Sequence, residues 1–323
     1  MGADRHHFTK NLLTAGLIGA GIFEGVIYKK FQSVFMRKDP KPGEEDSPAT
    51  PAHYRKYHAQ RIAAMADLNA LPVQIVEIRA HDGVCLRGRL YRVKENNDKV
   101  ALCCHGYHAS GIVDMARFVN MYSRFGCDFL IISQRTHEMS DGKYITFGCN
   151  EHRDGIAWCE KIRELYPEDV QILLHGLSMG AASVLMMAGS SALPDNVKVC
   201  VADSPYEDFY LEADHVLQAT VPYEKVRQVM LANLSLFAEK LCGFRLKDVS
   251  PIKAVRHARV PVLFIHGTGD SLVPCGMGKR LYEACSSQKD QLLIQGAAHV
   301  CAYSEAPEEY EARFMDFCGR YIL

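Results

Sequence analysis

The chain has 323 residues, 48% of them hydrophobic, with 37 basic and 38 acidic side chains and a formal charge of −1. That is ample apolar sequence for the core of one large domain or two small ones. It leaves no basic stripe or aromatic-interleaved basic run, which argues against nucleic acid as a main partner. Twelve cysteines occur without one C-x-x-C spacing. They read as small buried hydrophobes in a reducing compartment, not as zinc ligands or a disulfide framework.

The N-terminus is apolar from Leu12 to Phe23, is interrupted at Glu24 and resumes to Tyr28 before Lys29 and Lys30. This is marginal for a membrane span, which needs about 20 apolar residues. An amphipathic or docked helix would read the same way, and a signal peptide lacks its small-residue cleavage pattern here. Arg5 and Lys10 precede the run, whereas Lys29, Lys30, Arg37 and Lys38 follow it. A span would therefore leave the rest of the chain on the cytoplasmic side, in agreement with the cysteines. Residues 1–38 are accordingly expected to form a hydrophobic segment that anchors the protein to a membrane, with a soluble cytoplasmic protein as the alternative. The charged, proline-rich stretch 39–53 reads as a linker to a domain over 54–323.

Tyr54–Leu71 has a helical pattern. Short β-branched and apolar runs then predict strands at Val73–Arg79, Cys85–Tyr91, Val100–Cys104, Phe129–Ser133, Val170–Leu174, Val197–Ala202, Val260–Ile265 and Gln291–Ile294. Helical candidates lie near Val113–Phe125, Glu151–Tyr166, Met179–Ser190, Met277–Cys285 and Glu308–Tyr321. Two successive strands followed by strand–helix alternation predict an eight-stranded, mostly parallel sheet, covered on both faces and antiparallel at its start. The interval of about 204–258 breaks the rhythm. Its apolar residues follow 3- and 4-residue spacing, so an inserted helical lid is expected there, against the alternative of a second helical layer with no role at a site.

The stretch ILLHGLSMGAA places Ser178 between Gly176 and Gly180, after a strand and before a helix. Either Ser178 is a nucleophile thrust up on a tight turn, or it is a small packing residue. The G-x-S-x-G spacing in a strand–turn–helix context favours the nucleophile. A serine hydroxyl needs a base. Among fourteen histidines, His299 follows the last strand and precedes the last helix. His175 and His266 are weaker alternatives. Asp270, just past the seventh strand, fits the orienting acid, and the order Ser178, Asp270, His299 is the one expected of this scaffold. Asp203 is the runner-up acid, read as a residue that caps or holds the lid. The backbone N–H groups of Met179 and Tyr107 are the expected oxyanion donors. His105 reads as a brace for the Tyr107 loop.

These segments resemble the α/β-hydrolase superfamily, and more narrowly bacterial serine hydrolases related to esterases and to prolyl-oligopeptidase-type peptidase domains. The resemblance is carried by His105-Gly106-Tyr107, Gly176-Leu177-Ser178-Met179-Gly180, DVSPIKAVRHARVPVLFIHGTGDSLVP, GAAHVCAYSEAPEEY and RTHEMSDGKYITFGCNEHRDGIAWCEKI, and it spans Val73 to Leu323. It implies Ser178 as nucleophile, Asp270 as acid, His299 as base and Tyr107 and Met179 as oxyanion donors, with the Tyr107 hydroxyl a further donor in the oligopeptidase-like branch. One departure stands out. Relatives read R-G-H-G-x-S where this chain has Arg135-Thr136-His137-Glu138-Met139-Ser140, with both glycines lost.

The expected function is hydrolysis of a carboxylic ester through an acyl-enzyme. Amide or peptide cleavage and lipid or thioester acyl hydrolysis use the same machinery, and a non-catalytic binding protein is the reading from a different class. The expected partner is a small ester or acyl substrate. No metal or organic cofactor is implied, and the oligomeric state is not readable.

Overall fold

The computed structural model describes residues 24–37 and 55–322. The apolar run Leu12–Phe23 and the linker 39–53 lie outside the described residues. Among those described, no helix is long and apolar enough to cross a membrane.

The elements run as follows: helix α1 over residues 24–35, α2 His58–Asn69, β1 Val73–Arg79, β2 Cys85–Tyr91, β3 Lys99–Cys104, α3 Val119–Phe125, β4 Asp128–Ile132, α4 Glu151–Leu165, β5 Gln171–Leu177, α5 Met179–Ala188, β6 Val197–Asp203, α6 Phe209–Gln218, α7 Glu224–Cys242, β7 Val262–Gly267, α8 Cys275–Ala284, β8 Lys289–Ile294 and α9 Pro307–Cys318. The eight strands form one sheet in the order β1-β2-β4-β3-β5-β6-β7-β8. β2 is antiparallel to both β1 and β4, and every other pair is parallel. This is the α/β-hydrolase fold, with a helical insertion, α6 and α7, between β6 and β7.

The apolar runs are continuous because both faces of the sheet are covered. Alternate side chains of β3 and β5 show it. Val100, Leu102, Ile172 and Leu174 join the core with Trp158 and Ile162 of α4 and Val184 of α5, whereas Ala101, Cys103 and Leu173 join Leu68 of α2, Met121 of α3 and Phe314 of α9 on the other face. All twelve cysteines are free. Burial pushes the Cys103 thiol up to about 12.

Most boundaries shift by one to three residues from expectation, and two of the differences have clear local reasons. β7 begins at Val262 because Pro261 has no N–H to give the ladder, although its carbonyl accepts from Cys200 N–H at 2.9 Å. The helix expected over Val113–Phe125 breaks into a turn at Gly111–Met115, a 3-10 turn at Ala116–Phe118 and α3. Arg117 Nε has taken the Asp114 carbonyl at 3.0 Å.

A third core lies under the insertion and contains α1. Ile27, Phe31 and Phe35, spaced four apart on one face of α1, are fully or almost fully buried against Phe147, Phe209, Phe244 and their neighbours. Burying each such side chain is worth roughly 1.5–3 kcal/mol, so this face holds α1 on the domain. After α1 the chain forms a bridge from Met36 to Tyr144, and Ile145 N–H donates to Phe35 O at 2.7 Å. Residues 24–37 are part of the hydrolase body.

The strand order reverses between β3 and β5: the chain passes from β3 to β4 on one side and then to β5 on the other. Ligand crevices in open α/β sheets lie at such a switch, beyond the carboxyl ends of the strands. Ser178 and the His105–Tyr107 loop both emerge there.

Candidate active site

Ser178 follows β5 directly and N-caps α5 with φ 53° and ψ −114°, a strained conformation for an L-residue. The turn closes because its flanking residues lack side chains. A Cβ on Gly176 would lie 2.3 Å from the Gly180 carbonyl oxygen, and one on Gly180 would lie 2.1 Å from that of Cys104. Ser178 N–H donates to Asp203 O at 2.9 Å, and Ser178 O accepts the first helical bond from Ala182. The N–H of Met179 is thus in the first turn of α5, where amides have no partner within the helix.

The three side chains expected as nucleophile, acid and base meet at this point. His299 Nε2 lies 2.9 Å from Ser178 Oγ, and His299 Nδ1 lies 2.7 Å from Asp270 Oδ2. Asp270 Oδ1 accepts from the N–H groups of Leu272 and Val273 at 3.0 and 2.9 Å. Burial alone would raise this carboxyl, but His266 beside it and the hydrogen bonds from His299 and Val273 N–H hold it well below the usual carboxylate range. It stays ionised and keeps the Nδ1 proton on His299. Nε2 is then free to accept from the serine.

The other candidates are placed elsewhere. His175 is fully buried between the hydroxyls of Tyr122 and Tyr310, at 2.6 and 3.0 Å, and burial pulls it down to about 3. His266 Nε2 donates to Val273 O at 2.9 Å and sits 3.4 Å from Asp270 Oδ2, on the acid and away from the serine. Asp203 accepts from Ser204 Oγ at 2.9 Å, and its carbonyl holds the Ser178 N–H. It secures the turn, and no hydrogen bond ties it to the insertion among the described residues.

Tyr107 shares a pocket wall with Ser178 and Met179. Its hydroxyl donates to Val34 O of α1 at 2.9 Å, so it is committed to the N-terminal helix. His105 braces the loop: Nδ1 donates to Gly106 O at 2.7 Å and Nε2 accepts from Gln134 N–H at 3.1 Å. His137 Nε2 accepts from His108 N–H at 3.1 Å while Nδ1 donates to Arg135 O at 2.9 Å. Burial, with His105 close by, keeps His137 neutral well below the ordinary histidine range.

The glycine-free stretch keeps a glycine-like backbone. Thr136 and Glu138 stand where the two glycines were expected, and both have positive φ, 68° and 41°. Glu138 carries the loop: its carboxylate accepts from Ser110 Oγ, from Ser133 Oγ at 2.9 Å and from Gly111 N–H at 3.1 Å. Arg135 pairs with Asp154 at 2.6 and 2.7 Å and with Asp82 at 2.9 Å.

Sequence reasoning did not find three further residues. Arg117 joins the two loops that flank the serine: it bonds Asp114 O at 3.0 Å and Val300 O at 2.9 Å, while Asp114 Oδ2 holds Gly106 N–H at 2.8 Å. Ser204 Oγ accepts from Val300 N–H at 3.2 Å and steadies a valine at φ 54° beside His299. Glu212 of α6 lines the pocket. Among the 3- and 4-residue apolar spacings of this interval, no local signal marks Glu212.

The pocket is about 220 Å³ and almost wholly apolar, walled by Phe35, Phe147, Phe209, Val216, Leu234 and Val273 with Ser178 at one side. It can hold an apolar chain with its reacting carbonyl at the serine.

The prolyl oligopeptidase family profile matches residues 138–323. The protein YqkD of Bacillus subtilis is 26% identical over 216 residues, 67% of this chain and 70% of that protein. Among solved structures, the Pyrococcus furiosus esterase Pf2001 is similar with TM-score 0.62 and 25% identity, covering 80% of this chain and 96% of the esterase. Est1E of Butyrivibrio proteoclasticus, solved with ferulic acid, aligns with TM-score 0.56 at 18% identity over 76% of this chain and 99% of Est1E. The Pyrococcus horikoshii acylaminoacyl peptidase reaches TM-score 0.56 at 15% identity over 80% of this chain but 43% of the peptidase. The last two likenesses speak to fold alone. A profile that covers more than half of the chain decides the family: the chain belongs to the prolyl oligopeptidase family, as an α/β-hydrolase serine hydrolase.

Proposed function

We propose that the protein hydrolyses carboxylic esters of apolar acyl chains. The observation that carries this reading is His299, within hydrogen-bond distance of both Ser178 Oγ and Asp270 Oδ2 at the side of an apolar pocket. Ser178 Oγ attacks the ester carbonyl as His299 Nε2 takes its proton, and Asp270 stabilises the imidazolium. The N–H groups of Met179 and Tyr107 receive the developing oxyanion. Collapse expels the alcohol, which takes the proton from His299. Water, deprotonated by His299, then releases the acid and restores Ser178. In this reading α6 and α7 act as the lid.

Amide cleavage is the second reading, favoured by the family match. A matched series of p-nitrophenyl esters and p-nitroanilides of the same acyl groups separates the two. The ester reading expects kcat/KM for esters to exceed that for anilides beyond the ratio of their uncatalysed rates. Anilide turnover at or above that ratio would favour the peptidase.

A further inference from the structure

Glu212 is the polar exception in the pocket. It lies on α6 among Phe209, Ala213 and Val216, which line the same cavity, and is only 7% exposed. Its Oε2 is buried and has no hydrogen-bond partner, and among the described residues no basic side chain pairs with it. Leaving a carboxyl oxygen unpaired at this depth costs free energy and brings α6 no bond in return. An apolar side chain would pack there better. An unpaired, nine-tenths buried polar group in the wall of an otherwise apolar pocket is the arrangement a site uses to recognise one atom of its ligand.

Resting on the ester-hydrolase reading, we infer that Glu212 donates a hydrogen bond to an oxygen on the acyl chain, so that the pocket prefers oxo-substituted chains over plain alkanoyl chains.

The protonation state suits that role. Burial, with a contribution from the Asp270 charge, pushes the Glu212 carboxyl up to about 8, so at neutral pH it carries the proton it would donate. The other titratable groups around it are Tyr206 beyond β6, Tyr107 and Lys30 in the same pocket, and, on α6 itself, Asp208 at the N-cap and His215, bonded to Ser271 O. Apart from burial, it is the charge of Asp270, and not of these groups, that raises Glu212.

The test compares p-nitrophenyl octanoate with its mono-oxo isomers, the carbonyl moved along the chain, on wild type, Glu212→Gln and Glu212→Leu. The readout is the ratio of kcat/KM for the best oxo isomer to that for octanoate. We expect a ratio of about tenfold or more in wild type, retained in Glu212→Gln, which still has a donor, and lost in Glu212→Leu. In wild type it should fade as the pH rises through about 8, while in Glu212→Gln it should not. Equal turnover of all isomers by wild type, or an unchanged ratio in Glu212→Leu, overturns the inference. If Glu212→Leu does not fold, the pH dependence in wild type against Glu212→Gln decides the matter. If wild type turns over no ester, the hydrolase reading fails separately. The same ratio, read as Kd for the oxo-octanamides and octanamide on Ser178→Ala, then still decides the role of Glu212.

Discussion

Ser178 is held at φ 53° by a turn that neither flanking glycine could make with a side chain, and such a residue carries a strain of about 1–3 kcal/mol. Both loops beside it repeat the pattern: Ser204 and Val300 also have positive φ, and Ser204 Oγ bonds Val300 N–H. Strain is thus gathered where the serine, the imidazole and their supports meet. In the same place Asp270 fixes the imidazole. Replacing it by Asn should leave the geometry intact and let the amide present its N–H to Nδ1, turning the tautomer over. We predict a fall in kcat of about 10⁴-fold for Asp270→Asn, with an unchanged circular dichroism spectrum. A loss under tenfold would show that another group orients His299. These three residues were legible because each sits at a strand end with a local signature. Arg117 and Glu212 were not, because their roles come from burial and from contacts far apart in sequence.

Among the elements, the strands were the easiest to read, since covering both faces of the sheet leaves unbroken apolar runs. Helix α1 was harder. A stripe of Ile27, Phe31 and Phe35 reads alike whether its partner is a bilayer or a protein, and only the contact with Phe147 and Phe209 separates the two. The spacing also could not show that Thr136 and Glu138 would adopt a glycine-like backbone, because the carboxylate bonds that hold it reach across to Ser110 and Gly111. Helix α1 has a consequence for substrate choice. Phe35 is in the pocket wall and stacks edge-on against Phe147 at 5.4 Å between centroids. Phe35→Ala should open the pocket toward α1, shift the best ester to longer acyl chains, and cost about 3–5 kcal/mol in the docking of α1. Chain-length profiles of wild type and variant check this. An unchanged optimum would mean that the acyl chain does not lie against α1.

For the molecule as a whole, Glu212 links pH to stability. Its carboxyl is raised from 4.5 to about 8 in the folded state. Between those values the folded chain holds a proton that the unfolded chain has released, so this contribution is complete below about 4.5 and is lost as the pH rises through about 8. Wild type should therefore lose on the order of 2 kcal/mol relative to Glu212→Gln as the pH rises from about 6 to about 9. Urea unfolding at several pH values measures the difference. A constant difference would mean that Glu212 ionises normally in the folded protein.

The proposed hydrolysis rests on Ser178 as the nucleophile. Treating the folded protein with a fluorophosphonate and mapping the adduct by mass spectrometry tests this directly. The prediction is one adduct, on Ser178, formed far more slowly in His299→Ala, and absent from Ser178→Ala. An adduct on another residue, or none on a chain that remains folded, would contradict it.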